Sequence, residues 1–424
     1  MWRRSCCLLL HLSKLKLGIS RLGFSRRSFS SEPGKRFAAL WGNGDYGRLG
    51  LGNLDSQWEP AVCPAFHNQT LKAIACGGAH TLFLTDNGCV YAAGLNDFGQ
   101  LGISESKNYS VSPLRVFGHE KKIVQISAGY NHSCAITVDG ELYMWGKNSS
   151  GQLGLGKRAP NMVPLPTKVE YLDGITIKMA ALGSEHSVAI SDGGEAFSWG
   201  MGMSGRLGHG HESSILGFFK SHSEYTPRLI KDLEGIKVKY VAAGLLNSAC
   251  TDGIAENGSV FIFGERGIDK LLLKGMSNAT KPSLISELPY SEEVACGGYH
   301  ICVLTNSGEL YTWGTNENGC LGIGSSDVVR LPEKVQGPFS KSSVSQISCG
   351  WKHTAAISEG RVFTWGWGGS NGTFSEVGHS SGGQLGHGSD VDYINPTGVC
   401  FGEDAKALQV SCGFNHTGAI FEYT

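Results

Sequence analysis

Three short patterns return in the same order along nearly the whole chain, and their spacing restricts the fold more than any other feature. The first is Gly-x-x-His, at Gly77–His80, Gly129–His132, Gly183–His186, Gly297–His300, Gly350–His353 and Gly413–His416, with Gly244–Asn247 in the remaining slot. The second is an aromatic residue followed by glycine: Trp41-Gly42, Trp145-Gly146, Trp199-Gly200, Phe263-Gly264, Trp313-Gly314 and Trp365-Gly366, with Ala93-Gly94 completing the set. The third is Gly-x-Leu-Gly, ending at Gly50, Gly102, Gly154, Gly208, Gly322 and Gly386. The set recurs every 50 to 54 residues, apart from longer steps that carry insertions. A chain made by repeating one small unit can run to 424 residues without dividing into separate globular cores.

The unit is made of strands. Ser133-Cys134-Ala135-Ile136-Thr137 leads into a turn at Asp139-Gly140 and then into Glu141-Leu142-Tyr143-Met144-Trp145, which is strand, tight hairpin, strand. Equivalent turns stand at Asp86-Asn87-Gly88, Asp192-Gly193-Gly194, Asn257-Gly258, Ser307-Gly308 and Glu359-Gly360. Two further short strands per unit precede Gly-x-x-His. About four strands in a period near 50 describe a propeller blade, whereas helical repeats are shorter and space their apolar residues by 3.6. The 61 glycines beside only 13 prolines fit many tight turns in an all-β protein.

The two ends of the array complement one another. Phe37 to Gly52 holds the second and third patterns without the first, and Val410 to Tyr423 holds the first without the second. Joined, they make one unit. The expectation is an all-β, seven-bladed propeller over 37–424, closed by pairing of N- and C-terminal strands so that no sheet edge is left at the join.

With these markers in register over the whole chain beyond the first thirty residues, the sequence resembles the regulator of chromosome condensation family, a seven-bladed propeller with repeats of about 50 residues. Residues 1–31 hold seven basic residues and no acidic one, among leucines and serines, the composition of an organelle transit peptide. Arg27-Ser28-Phe29-Ser30-Ser31 resembles a plant mitochondrial processing site with cleavage after Phe29. A secretory signal fits less well: its apolar core would run from Cys6 to Leu12, short, interrupted by His11 and followed by more lysine and arginine. The expected destination is the mitochondrial matrix, with chloroplast or dual import as the rival. Address and repeats together resemble a plant mitochondrial member of the family.

The repeated histidines His80, His132, His186, His300, His353 and His416 read as structural, because equivalent residues of successive blades lie around a ring and do not converge on a metal. Each is expected to bond backbone of its own or the next blade. Trp41, Trp145, Trp199, Trp313 and Trp365 are expected to pack between blades. Cys76, Cys296, Cys349 and Cys412 precede the marker glycine where other repeats have Ala or Leu, which reads as packing. His209-Gly210-His211 lacks a third ligand, and the Gly-rich run from Gly366 to Gly383 contains no GxxxxGK[ST]. No catalytic, cofactor or metal residue is expected, no CxxC pair occurs, and no apolar run reaches membrane-spanning length.

Function is then sought where the repeat is broken. Gly366 to Gly386 spans 20 residues where five other repeats span eight. The extra residues include Trp367 and Phe374. The connection from His209 to Tyr225 carries Ile215, Leu216, Phe218 and Phe219. These six apolar side chains are the sequence-based docking candidates. The fourth repeat, which reads Glu265-Arg266-Gly267-Ile268-Asp269-Lys270, has lost its markers to drift. The resemblance implies a scaffold that assists organelle transcript splicing and, through it, accumulation of respiratory complex I. Taking the seven basic residues of 1–31 from the chain's 36 leaves 29 against 37 acidic, a net charge of −8. That favours splicing proteins as partners, with RNA engaged indirectly. The alternative is guanine-nucleotide exchange on a small GTPase, for which no motif carries residues over. UV-B sensing by tryptophan clusters finds one near match, Gly350-Trp351-Lys352-His353-Thr354, whose neighbours at the tryptophan position are Gly298 and Phe414.

Overall fold

The computed structural model describes residues 34–116, 121–210, 223–253, 258–265, 279–369, 382–402 and 404–424. The expected address, the loop bearing Ile215, Leu216, Phe218 and Phe219, Phe374 and His211 lie outside the described residues.

Seven four-stranded antiparallel sheets follow one another. Blade 1 comprises Leu71–Cys76, His80–Thr85, Val90–Leu95 and Tyr109–Arg115. Blades 2 to 6 repeat this pattern, beginning at Ile123–Ala128, Ile177–Leu182, Val238–Ala243, Ser291–Cys296 and Val344–Cys349. Blade 7 is composite. Ala405–Cys412 and His416–Tyr423 from the end of the chain pair with Arg36–Gly42 and Gln57–Val62 from its beginning. The join is seven consecutive residue pairs, from Arg36 opposite Glu422 to Gly42 opposite His416. The closed ring expected from the complementary ends is therefore present.

The register explains why two of the markers recur together. In every blade the residue ending Gly-x-x-His lies directly across the sheet from the glycine of the aromatic-Gly pair: His80 opposite Gly94, His132 opposite Gly146, His186 opposite Gly200, and so on to His416 opposite Gly42. Gly94 has φ +113, and a Cβ there would lie 2.5 Å from the Cα of His80. Only glycine meets both demands. Each such glycine also marks an irregularity in pairing with the outermost strand, as between Ala92 and Gly94.

The buried apolar residues divide into seven clusters, one for each seam between neighbouring blades. Blade 2 contributes Ile136 and Met144, and blade 3 Ala189 and Trp199, to a single cluster. The cluster closing the ring joins Leu40 and Ile420 of blade 7 to Ile74 and Phe83 of blade 1. No sheet covers its own faces, so each blade is stable only against its neighbours.

Candidate protein-docking face at the channel mouth

The three markers meet at each seam in one buried network, whose geometry departs from the backbone bonding expected of the histidines. Nε2 of His80 lies 2.9 Å from Ser133 Oγ of the next blade. The same bond joins His132 to Ser187, His186 to Ser248, His300 to Thr354, His353 to Thr417 and, across the closure, His416 to Thr81. Each hydroxyl donates to the carbonyl of the second residue in Gly-x-Leu-Gly: Ser133 to Gln100, Ser187 to Gln152, Thr354 to Cys320. A hydroxyl whose proton is committed can only accept from the ring, so Nε2 carries the imidazole proton. The same carbonyls accept the indole N–H of Trp145, Trp199 and Trp365 from the following blade. The last glycine of Gly-x-Leu-Gly is the seat of that indole: a Cβ on Gly102 would lie 2.8 Å from Trp145 Nε1.

Burial keeps these rings neutral. Desolvation lowers the pKa of His80, His132 and His353 to about 3 and that of His300 to about 4, and holds His186 and His416 well below the ordinary value. They are framework groups throughout the physiological pH range.

Blade 4 breaks the network in a coupled way. It has Asn247 for histidine, and the residue that would receive the bond, hydroxyl-bearing at the other six seams, is Ile301 in blade 5. Both are buried. A histidine facing Ile301 would leave a buried N–H without an acceptor, so the two replacements belong together and drift in one repeat does not describe them.

The Gly-x-x-His turns also form a collar around one mouth of the central channel. The N–H after the marker glycine donates to the marker carbonyl of the next blade: Gly78 to Gly129, Tyr130 to Gly183, Ser184 to Gly244, Phe414 to Gly77. The marker glycines are required by contact and not by φ. A Cβ on Gly413 would stand 2.5 Å from the Gly77 carbonyl and 2.4 Å from a ring carbon of its own His416.

The side chains one residue further on line the mouth, and those of blades 6, 7 and 2 are aromatic. Trp351 stacks on Phe414 at 4.2 Å with the rings 11° apart, and Phe414 meets Tyr130 edge-on at 5.3 Å. Blade 1 lies between Phe414 and Tyr130 and contributes Gly78. A Cβ there would be 2.9 Å from the Tyr130 ring, so its absence lets the row cross that blade. Gly298 of blade 5 similarly leaves room beside Trp351, whose ring would be 2.6 Å from a Cβ. Tyr130 is 42% exposed. Around the row stand charged residues: Lys352, 5.0 Å above the Trp351 ring and paired with Glu317, and the Lys147–Glu185 pair bridging blades 2 and 3. Aromatic anchors within a polar rim are the usual make-up of a protein-docking surface.

Of the sequence-based docking candidates, Trp367 alone lies among the described residues. It is 6% exposed and packs edge-on beneath Trp351 at 5.6 Å, so its ring supports the row and is not offered to a partner. Tyr130 and Phe414, which form the row with Trp351, sit at ordinary marker positions where the repeat is unbroken. Trp351 and Trp367 are two indoles in contact, with phenylalanine where a third would extend the cluster. His209, one half of the His-Gly-His run, lies 3.0 Å from Ser198 Oγ of its own blade.

The match to known proteins agrees with the geometry. The model of the RCC1-like domain matches residues 38–419. The chain belongs to this family. It is 31% identical over 385 residues to the ultraviolet-B receptor UVR8 of Arabidopsis thaliana, covering 90% of this chain and 70% of the receptor. It is 31% identical over 334 residues to the mitochondrial RCC1 domain-containing protein RUG3 of the same plant, covering 75% of this chain and 72% of that protein. The crystal structure of Prp20p from Saccharomyces cerevisiae, described together with its binding to Gsp1p and histones, superposes with a TM-score of 0.76 at 24% identity, covering 96% of this chain and 97% of that one. This last likeness concerns the fold.

Proposed function

We propose that the chain is a non-catalytic binding platform in the mitochondrial matrix, docking partner proteins on the Trp351–Phe414–Tyr130 row and thereby assisting organelle transcript splicing and accumulation of respiratory complex I. The observation that carries the docking part is the row itself, a contiguous aromatic strip at the channel mouth built from three blades. The acid-free, arginine-rich first 31 residues, read as a presequence removed on import, and the similarity to a mitochondrial family member support the location. The net charge of −8 beyond that segment favours protein partners over direct, sequence-blind RNA contact.

The test is affinity capture from mitochondria, with and without RNase, using the parent chain and Trp351→Ala. Splicing proteins that stay bound after RNase and are lost with Trp351→Ala support the reading. Partners that all vanish on RNase treatment overturn the protein-first mechanism. Capture of a small GTPase whose nucleotide release the purified chain accelerates would replace it with exchange-factor activity.

A further inference from the structure

At the seam between blades 5 and 6, a ring nitrogen of His300 and the Sγ atoms of Cys302 and Cys349 all lie within 4.8 Å of one another. His300 and Cys302 are two apart on one strand and so share its face; Cys349 ends the innermost strand of the next blade. Cys349 Sγ donates to the Ala295 carbonyl at 3.7 Å, and Cys302 Sγ lies 3.5 Å from Thr312 Oγ1. His300 Nε2 faces Thr354, so coordination through Nδ1 leaves the seam bond intact.

The combination is confined to this seam among the six that have a marker histidine. In register, seam 2–3 offers His132 and Cys134 but Leu182 in place of the second thiol, and seam 6–7 offers His353 and Cys412 but Ala355 in place of the first. At seam 5–6 the repeat has gathered all three donors.

Two thiolates and a neutral imidazole are a soft, nitrogen–sulfur ligand set. Tetrahedral bonds of about 2.3 Å would hold two sulfurs about 3.8 Å apart, so the present spacing needs a shift of no more than about 1 Å to enclose an ion. Two thiolates cancel the charge of a divalent ion, as burial requires. Each thiol yields its proton to solvent on binding, two protons per ion. Cys349 also lines the channel wall, which gives an ion a way in and leaves room for a fourth, solvent-derived ligand. We propose that His300, Cys302 and Cys349 bind a thiophilic cation of the zinc(II) class, joining blade 5 to blade 6 beside the channel mouth.

The full chain, reduced and stripped by a chelator, is titrated with cobalt(II) as a coloured stand-in for zinc(II), and separately with copper(I) against a chromogenic competitor. The expected result is one cobalt per chain, with thiolate-to-metal charge-transfer absorption that zinc abolishes, two protons released, and a raised Tm. Cys302→Ser and Cys349→Ser lose the absorption, while Cys134→Ser, the same strand position at a seam lacking the second thiol, keeps it. No charge-transfer band in the folded parent overturns the proposal, as does a band that survives Cys349→Ser or disappears with Cys134→Ser. Binding of copper(I) without cobalt(II) or zinc(II) overturns the zinc(II) assignment. If Cys302→Ser does not fold, Cys349→Ser decides, because its side chain borders the open channel.

Discussion

Acidification should unfold this protein between pH 7 and pH 5, before most carboxylates titrate. Six histidines are buried without charge: burial lowers His80, His132 and His353 to about 3 and His300 to about 4, and holds His186 and His416 well below the 6.5 of an exposed imidazole. Below pH 6.5 the unfolded chain takes up protons that the folded chain refuses. Stability therefore falls with pH throughout the interval between the two values. For one such imidazole the loss from pH 7 to pH 5 is about 2 kcal/mol, and for six it is about 11 kcal/mol. Glu293, whose carboxyl burial raises to about 7, works in the opposite sense, since its proton is bound more tightly when folded. It returns about 2 kcal/mol over the same range, leaving a net loss of about 9 kcal/mol. That is comparable to the whole stability of a typical domain, about 5–15 kcal/mol. Urea titrations followed by tryptophan fluorescence at half-unit steps of pH give the slope directly. His132→Asn, which copies the residue found at position 247, removes one of the six, so its destabilisation should shrink by about 2 kcal/mol on going from pH 7 to pH 5. A parent stability that changes by less than about 3 kcal/mol over the interval would refute the neutral, buried network.

Asn247→His should destabilise by about 1–3 kcal/mol, because the new ring N–H meets Ile301, and adding Ile301→Thr should recover much of the loss; a double-mutant cycle in urea measures the coupling. Gly413→Ala drives a methyl group into the Gly77 carbonyl across the ring closure and is expected to lower Tm by several degrees, read by calorimetry. Gly78→Ala displaces Tyr130, so it should reduce partner capture while leaving far-ultraviolet circular dichroism unchanged. Removing residues 34–42 deletes the strand that completes blade 7, and the loss of protection in hydrogen exchange should reach every blade.

The architecture was readable because each marker meets a demand that few residues satisfy. A glycine opposite His80 at φ +113 and a glycine against the Gly129 carbonyl tolerate no side chain, so they recur unchanged at every turn of the ring. A hydroxyl follows the last marker position in six of the seven blades, at Thr81, Ser133, Ser187, Ser248, Thr354 and Thr417. Ser and Thr are common enough in strands to hide that regularity, and only the coordinates show the bond crossing to the next blade. The aromatic row was out of reach for a different reason. Trp351 and Phe414 belong to consecutive blades, but Tyr130 comes within reach only once the circle is closed, across blade 1, and the row depends on the missing side chain of Gly78. Distance along the chain, 284 residues from Tyr130 to Phe414, conceals a contact of 5.3 Å. Trp367 sits at a break in the repeat but is buried, and the Trp351 ring that reaches the surface beside it sits at an ordinary marker position.

Because Arg36–Gly42 has only Gln57–Val62 beside it until His416–Tyr423 arrives on its other edge, a chain delivered from its amino end holds an unfinished sheet until almost its last residue has emerged. Partial lengths of it cannot lock. Such a polypeptide stays loose and becomes rigid only when its tail catches up with its head.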